Sequence, residues 1–355
     1  MMTQRGFTCP LFVGGAAASA VHTAVKLSPL YEHVHYGADA SMTAVMAKRS
    51  LSAPEEFLRE ENAAHERLRE LHAQTKNKPL TSSSKPYVPS VFLEGAEQAD
   101  IPLQTLNFQD LQPYLDWRIF KAAYGLKNES EGEGQVFDYQ DEALRLLKRE
   151  KAFSVRLSAR FFSCYKDGNS LCEKDGLFTF PMLRDEKAEK MASLADFYPS
   201  QSSGKTHLLG LFALSVKEDS GLKDVKISES FDASLFSHAV KAMLAQAASL
   251  WLQNQLEKSY ADSSCRWVLP GIGYACCPDH SLKRDVLALL SDALEIRLSD
   301  SCAMLPLESI CGFVVPSPDA CYPEIRHVSA EQIALYASKR GFNEQEKQLF
   351  LAHLC

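Results

Sequence analysis

The sequence lacks features that would assign it at once to a nucleic-acid-binding or a membrane class. It has no excess of basic residues, since 38 lysines and arginines stand against 45 acidic residues and the formal net charge is −7. Nucleic-acid-binding proteins carry a basic excess, so we predict no nucleic-acid partner. No apolar run approaches the roughly 20 residues of a membrane-spanning helix. We therefore also predict no membrane partner.

Closely spaced pairs of cysteines are missing as well. None of the ten cysteines belongs to a Cys-x-x-Cys pair, which leaves a structural zinc site with little support. Several lie in apolar runs, for example Cys302 and Cys311, where a free thiol behaves as a small core residue. The N-terminal apolar run is short and broken by Gly14 and Gly15, so we expect no secretory signal peptide. These features predict a cytoplasmic protein with free thiols.

The first 74 residues show the alternation of a parallel α/β fold. Leu11–Val13 predicts a short buried strand that a Gly-Gly turn joins to a helix, and VHYGADAS predicts a second strand followed by a helix from about Met42. Ser52-Ala-Pro-Glu55 fits a capping box that opens a charged helix. This region is too short to be a whole domain. The Pro-, Ser- and Lys-rich stretch after it predicts a linker at residues 75–90.

Residues 91–355 have the pattern of an α+β domain. Apolar and polar residues alternate over 153–161, which predicts a half-buried antiparallel strand, and Asp167-Gly168-Asn169 predicts a hairpin turn. Further strands are predicted at 176–180, 208–216 and 309–315, and helices at 232–260, 281–297 and 329–341. Strands that occur in pairs with long helices between them indicate an antiparallel sheet covered by helices.

Three short motifs could carry chemistry. The glycines and prolines of WVLPGIGYACCPDH (267–280) predict a shaped loop, in which Cys277-Pro-Asp-His280 is either half of a metal site or a packed thiol followed by a helix entry. Gly14-Gly15 could accept a phosphate at a helix N-terminus, although a tight turn explains it more simply. Asp116, in YLDW, could cap the next helix or supply a carboxylate to a site.

Six ordered segments resemble the C-terminal part of cobalamin-dependent methionine synthase. They are CPLFVGGAAASAVHTAVKL (9–27), VHYGADAS (34–41), YLDW (114–117), SLADFYPSQSSGKTHLLGLFALSV (193–216), GYACCPDH (273–280) and LSDSCAMLPLESICGFVVPSPDACY (298–322). The matches occur in the family's order and extend over nearly the whole chain. We identify the sequence as a member of this family on that basis.

The resemblance implies a reactivation module. In that family the C-terminal domain binds S-adenosylmethionine and presents it to the cobalamin, and one electron from a flavodoxin-like donor restores the oxidised cofactor. The implied fold is a twisted antiparallel sheet with long helices over residues 91–355. Residues 1–74 would be the end of a Rossmann-like cobalamin-binding domain with a trailing helix. The implied partners are a cobalamin-bearing methionine synthase polypeptide and the electron donor.

The resemblance also implies a set of ligand-binding residues around the glycine-rich loop. They are Asp116, Arg266, Pro270, Gly271, Gly273, Tyr274, Tyr322 and Pro323. A carboxylate such as Asp116 would favour the cationic groups of S-adenosylmethionine, and glycine would let the backbone approach the ligand closely. Tyr274 would lie toward the corrin ring. Gly14, Gly15 and Ala16 would lie on the cobalamin side.

Three departures from the family pattern bear on the function. The segment between the long helix and the glycine-rich loop is much shorter than in the family, so acidic and aromatic residues that flank the site there have no counterpart here. The family's arginine five residues before the matched tyrosine is Leu269 here, and leucine has no donors for a ligand carboxylate. The family's axial-ligand motif, Asp-x-His-x-x-Gly, is absent. The segment most similar to it is KTHLLG (205–210), in which Lys205 replaces the aspartate. We expect no complete homocysteine-methylating site on this chain. The alternative is a degenerate homologue that acts as a structural or interaction subunit without S-adenosylmethionine.

Overall fold

The computed structural model describes residues 6–14, 19–37, 40–76, 91–93, 100–124, 133–149, 152–188, 191–218, 233–260 and 264–354. The chain divides into two compact units, Met1–Ser82 and Ser83–Cys355. Most of the predicted linker lies outside the described residues, as do Gly15 and Ala16. Within the described residues, no helix combines the length and the apolarity needed to cross a membrane.

The described residues of the first unit form a pair of parallel strands and three helices. The strands are β1 (Leu11–Val13) and β2 (Val34–Tyr36), and the helices are α1 (Ala20–His22), which continues as a π-helical turn (Thr23–Leu27), α2 (Ala40–Ser52) and α3 (Pro54–Lys76). Helix α1 begins where the Ser19 hydroxyl accepts a hydrogen bond from the His22 N–H. The Ser52 hydroxyl instead donates to the Arg49 carbonyl at the end of α2. The predicted capping box therefore does not open α3.

The second unit is built on an antiparallel sheet. Its strands are β3 (Ile101–Leu106), β4 (Phe153–Asp167), β5 (Ser170–Glu173), β6 (Thr179–Pro181), β7 (His207–Glu218), β8 (Arg266–Val268) and β11 (Ile310–Ser317). They follow the order β6-β5-β4-β7-β11-β8, and β3 pairs with the first half of β4. A separate small ladder joins β9 (Arg297–Leu298) to β10 (Met304–Leu305). The predicted combination of helices and an antiparallel sheet is confirmed.

Helices cover the sheet. They are α4 (Phe108–Leu111), α5 (Trp117–Tyr124), α6 (Glu133–Leu147), α7 (Ala233–Ser259), α8 (Leu282–Ala288), α9 (Ala330–Arg340) and α10 (Glu344–Leu351). On one face, α5 and α7 bury Phe120, Phe236 and Met243 completely against the sheet. On the other, α8 and the 3₁₀ turn Leu194–Phe197 belong to a second core. The sheet is thus buried on both faces, which fixes its register.

One sequence prediction was confirmed here and one was wrong. The strand over 153–161 was expected to be half-buried, and Val155, Leu157, Ala159 and Phe161 are buried whereas Arg160 on the opposite face is exposed. Residues 281–297 were expected to form one helix, and they do not. Helix α8 ends at Ala288, and the segment after it lies across the polar face of β4. There Arg160 donates to the Leu289 carbonyl at 2.8 Å and Arg156 donates to the Ala293 carbonyl at 2.9 Å. A continuous helix would have used those carbonyls internally, so covering the sheet competes with extending the helix.

Local turn chemistry agrees with the sequence in two places. Gly168 takes φ of +57° in the hairpin between β4 and β5, as the Asp-Gly-Asn turn predicted. Ser329 accepts a hydrogen bond from the Gln332 N–H at the start of α9, and Gly341 ends that helix with φ of +68°. The strand predicted at 176–180 is displaced, because Gly176 lies in a turn and β6 begins at Thr179.

Candidate functional site

The glycine-rich loop extends β8 along the edge of β11. The Phe313 N–H donates to the Pro270 carbonyl at 3.0 Å, and the Ile272 N–H donates to the Cys311 carbonyl at 2.9 Å. The chain then turns back, since the Gly273 N–H donates to the Cys277 carbonyl at 2.7 Å. These main-chain hydrogen bonds fix the loop to the sheet and leave its tip facing outward.

Two glycines allow the turn. Gly273 has φ of +96°, and a Cβ atom there would lie 2.5 Å from the His280 ring. A Cβ atom on Gly271 would lie 2.7 Å from the Tyr274 ring, which packs over that position. Only glycine allows both the left-handed backbone and the close ring contacts. Tyr274 itself is 66% exposed, so its ring stands at the surface. A cavity opens on each side of it.

The two loop cysteines pack inside the molecule. Cys276 and Cys277 are 7% and 4% exposed. Burial raises the pKa of the Cys276 thiol to about 11 and that of Cys277 well above its ordinary value, so both stay protonated at neutral pH. Among the described residues, no group of three or more His, Cys, Asp or Glu side chains could hold a metal ion. The cysteines therefore serve as core residues.

The end of the loop is anchored to α9 by a buried carboxylate. Asp279 is 1% exposed and accepts hydrogen bonds from the Ser281 N–H, the Ser281 hydroxyl and the Tyr336 hydroxyl, each at 2.8 Å. Arg340 also reaches Asp279 and forms a charged pair with Asp285 at 2.6 Å. The Asp-His dipeptide thus marks a helix entry held in place by α9.

A first cavity of about 370 Å³ opens on one side of the loop, between α7 and the segment after β11. Its lining consists of Phe212, Gln246, Ser249, Leu250, Gln253, Leu269, Gly271, Tyr274, Ala275, Cys276, Ile310, Tyr322, Pro323 and Glu324. The structure therefore brings together four residues of the predicted site, namely Gly271, Tyr274, Tyr322 and Pro323. Pro270 and Gly273 belong to the same loop without lining this cavity.

Aromatic, amide and acidic side chains line the first cavity. The Tyr322 hydroxyl accepts a 3.1 Å hydrogen bond from the Leu269 N–H, which leaves its own proton free to donate. The Gln246 and Gln253 side chains offer donors and acceptors, and Glu324 provides a carboxylate that also pairs with Arg326. No basic side chain occurs among the described residues of the lining. Such a cavity suits a ligand with an apolar body and a cationic group.

Asp116 and Arg266 lie apart from this lining. The Asp116 carboxylate accepts from the Arg118 N–H at 2.9 Å, which caps α5, and it also binds the Arg118 guanidinium. The hydrogen bonds from Arg118 lower the pKa of Asp116. The Tyr114 hydroxyl donates to Asn254 at 2.9 Å, which ties this segment to α7 one residue beyond Gln253. Arg266 is exposed at the start of β8.

A second cavity of about 540 Å³ lies on the other side of Tyr274. Tyr274 and Ile310 border both cavities, whereas Gly273, His280 and Lys283 line only the second one. Sequence reasoning missed Lys283, Glu324 and the two α7 glutamines. Only the spacing of His280 and Lys283, three residues apart at a helix entry, could have indicated that their side chains lie together.

On the predicted cobalamin side, only Gly14 falls within the described residues. It follows β1 and is exposed, and a Cβ atom on it would lie 2.5 Å from the Gly37 carbonyl oxygen. The turns after β1 and β2 therefore approach each other through their backbones.

Comparison with known proteins finds a family match for the part of the chain that contains this site. Residues 107–341 match the family described as vitamin B12 dependent methionine synthase, activation domain. The fold is similar to that of the crystal structure of the MetH reactivation domain bound to AdoHcy, with a TM-score of 0.60 and 22% sequence identity over 79% of this chain and 97% of that chain. The matched family range includes both cavities and the loop between them.

Proposed function

We propose that this chain, which belongs to the activation-domain family of vitamin B12 dependent methionine synthase, binds S-adenosylmethionine in the first cavity for the reductive methylation of cob(II)alamin. S-adenosylmethionine supplies the methyl group, and the cobalamin accepts it together with one electron. The chain would thus be the reactivation part of a cobalamin-dependent methyltransferase in methionine biosynthesis. The observation that carries the proposal is an acidic and aromatic cavity, without basic residues among its described lining, inside the matched range.

The lining fits the cationic parts of this ligand. S-adenosylmethionine carries a sulfonium and an ammonium group, and the Glu324 carboxylate would attract both. The amides of Gln246 and Gln253 supply paired donors and acceptors of the kind that a purine edge requires. A volume of about 370 Å³ lies within the range of small-molecule sites. Tyr274, exposed at the rim, would lie toward the corrin ring.

We propose Asp116 as a supporting carboxylate. It lies outside the lining, but the Tyr114–Asn254 hydrogen bond holds its segment beside the turn of α7 that carries Gln253. Its charge is neutralised by Arg118 in the structure. Ligand binding through Asp116 would require the Arg118 guanidinium, which is 89% exposed, to move into solvent. Such a movement costs little, because exposed ion pairs are weak.

The cobalamin itself would come largely from elsewhere. We interpret the first unit as the end of a cobalamin-binding domain, in which the turn at Gly14 would lie near the cofactor. Completion of that domain by a cobalamin-bearing methionine synthase polypeptide, a flavodoxin-like electron donor and a cytoplasmic location belong to the same proposal. Transfer of a methyl group from folate to homocysteine would then require residues beyond this chain.

A second candidate is a degenerate homologue that keeps the fold without binding S-adenosylmethionine. Leu269 favours it, because a leucine borders the cavity where the family has an arginine for the ligand carboxylate. Such a protein would act as a structural or interaction subunit. The two candidates differ in one measurable property, which is affinity for S-adenosylmethionine.

The test is calorimetric titration of S-adenosylmethionine into the purified chain and four variants. We expect saturable binding that weakens about fivefold to tenfold in Glu324→Gln, because a charge-assisted hydrogen bond is lost. The matched control is Glu331→Gln on the exposed face of α9, which should bind like the wild type. Asp116→Asn keeps a capping side chain while removing the charge, and should also weaken binding. Its control is Asp110→Asn, which also keeps a polar side chain at the start of a helix, α4.

The degenerate candidate predicts the opposite result. A folded wild-type chain that gives no heat with S-adenosylmethionine would exclude the reactivation role for this chain on its own. Binding that is equal in the wild type and in Glu324→Gln would place the ligand outside the first cavity.

A further inference from the structure

The second cavity contains a buried cation that pairs with no carboxylate of the described part of the chain. Lys283 is 4% exposed, and its ammonium donates to His280 Nδ1 at 2.9 Å and to the Cys302 carbonyl at 3.2 Å. Both acceptors are neutral. Among the described residues, no carboxylate forms an ion pair with Lys283. Burying an ammonium group without an opposite charge is costly, so the arrangement favours an anion beside it.

Two more donors line the same cavity. Because His280 Nδ1 accepts from Lys283, the ring proton resides on Nε2, which is a donor. The Ser309 side chain lies in a residue that is 6% exposed, and its hydroxyl has no hydrogen-bond partner within the described part of the chain. An unpartnered buried hydroxyl is rare, because water or a ligand normally satisfies such a group. The third N–H of Lys283, the Nε2–H of His280 and the Ser309 hydroxyl are thus three donors on residues that line this cavity.

The pKa shifts of Lys283 and His280 are consistent with an anion-binding role for this cavity. Burial lowers the pKa of Lys283, and a bound anion would offset that effect by favouring the charged ammonium. Burial and the neighbouring Lys283 charge also lower the pKa of His280, so the ring is neutral at pH 7 and keeps the tautomer described above.

We propose that Lys283, His280 and Ser309 form an oxyanion-binding subsite for a carboxylate or a phosphate group. One source is the α-carboxylate of S-adenosylmethionine held in the first cavity, since Tyr274 and Ile310 border both cavities and Leu269 offers that carboxylate no cation. The other source is a free oxyanion that binds independently. The first source rests on the proposed function, whereas the second does not.

The first arm of the test uses inorganic phosphate and acetate, titrated calorimetrically into the whole chain at constant ionic strength. We expect the affinity to fall at least tenfold in Lys283→Met, which keeps the length of the side chain, and about threefold to tenfold in Ser309→Ala. The matched control is Lys205→Met, at an exposed position, which should bind as the wild type does. Ser309→Ala removes a hydroxyl that has no hydrogen-bond partner among the described residues, so folding should not suffer.

The second arm identifies the source. S-adenosylmethionine and 5′-methylthioadenosine, which lacks the amino-acid end, are titrated into the same variants. A loss of at least tenfold for S-adenosylmethionine in Lys283→Met, with no change for methylthioadenosine, assigns the subsite to the ligand carboxylate. Binding of phosphate that depends on Lys283, with unchanged S-adenosylmethionine affinity, assigns it to a free oxyanion.

The subsite and the proposed function can fail separately. If S-adenosylmethionine does not bind at all, the proposed function fails and the phosphate and acetate titrations alone decide the subsite. If neither oxyanion binds, and Lys283→Met and Ser309→Ala leave S-adenosylmethionine affinity within twofold of the folded wild type, the subsite does not exist.

Discussion

The N–H of Leu269 donates a 3.1 Å hydrogen bond to the hydroxyl of Tyr322. This bond joins the glycine-rich loop to the segment after β11, and both residues border the first cavity. A second link lies nearby, because the Ile325 N–H donates to the Ala275 carbonyl at 2.9 Å. The cavity wall therefore depends on contacts between two segments about 50 residues apart.

Replacement of Tyr322 by phenylalanine should affect ligand binding more than stability. The hydroxyl is the only part lost, and Tyr322 is 54% exposed, so we expect the free energy of unfolding to fall by less than about 1 kcal/mol. Affinity for S-adenosylmethionine should fall about threefold to tenfold, because one donor to the ligand disappears. Calorimetry and urea unfolding measure the two quantities. An unchanged affinity would show that the Tyr322 hydroxyl serves only the loop.

Introduction of an arginine at Leu269 should strengthen binding. Leu269 is only partly buried and borders the cavity, so a longer side chain can reach into it. A guanidinium can bind a carboxylate through two hydrogen bonds, and we expect about a tenfold gain in S-adenosylmethionine affinity. Leu269→Met is the control for side-chain length. If both variants bind like the wild type, the ligand carboxylate lies elsewhere, as it would if it occupies the proposed oxyanion subsite.

Substitution of Gly273 should be more destabilising than substitution of Gly168. Both residues have positive φ, but a Cβ atom on Gly168 would meet nothing within 4 Å, whereas one on Gly273 would lie 2.5 Å from the His280 ring. Gly168→Ala should cost about 1 kcal/mol of unfolding free energy from backbone strain. Gly273→Ala should cost about 3 kcal/mol, because strain and overpacking add. Equal losses in chemical denaturation would mean that the His280 ring moves aside freely.

Acidification should destabilise the second unit through His207. The ring is completely buried, Nδ1 accepts from the Leu93 N–H at 2.8 Å, and the Nε2–H donates to the Pro316 carbonyl at 2.6 Å. Burial lowers the pKa of His207 in the folded state, and the two hydrogen bonds offset this only in part. The unfolded chain, with a pKa of about 6.5, therefore takes up the proton first as the pH falls.

The direction in which stability changes with pH follows from that difference in proton binding. Stability should be highest above about pH 6.5 and decrease below it, by at most about 1.4 kcal/mol per pH unit for this one proton. His207→Gln, although less stable throughout, should show a smaller decrease between pH 7 and 5 in urea titrations. An equal slope in both proteins would assign the acid sensitivity to other groups.

Short-range features were predictable because a few neighbouring residues decide them. The turn at Gly168, the cap at Ser329 and the end of α9 at Gly341 each depend on a local backbone angle or a hydrogen bond across three residues. The long apolar helix was found as well, since Ala233–Ser259 closely matches the predicted 232–260. The prediction that the helix continues beyond Ala288 was wrong, because the carbonyls of Leu289 and Ala293 accept hydrogen bonds from arginines of β4, which is distant in the sequence.

The sequence by itself determined the α+β class, the glycine-rich loop and the family motifs, because these depend on residue type and spacing along the chain. Only the tertiary structure decided which residues share a cavity. It placed Tyr322 and Glu324 beside Leu269, and it placed Asp116 with Arg118 outside the lining. It also brought the buried Lys283 into the same cavity as Ser309, 26 residues along the chain, with no carboxylate among the described residues paired to the ammonium. Such pairings depend on strand order and on which polar groups lose their water, and no local pattern in the sequence records either.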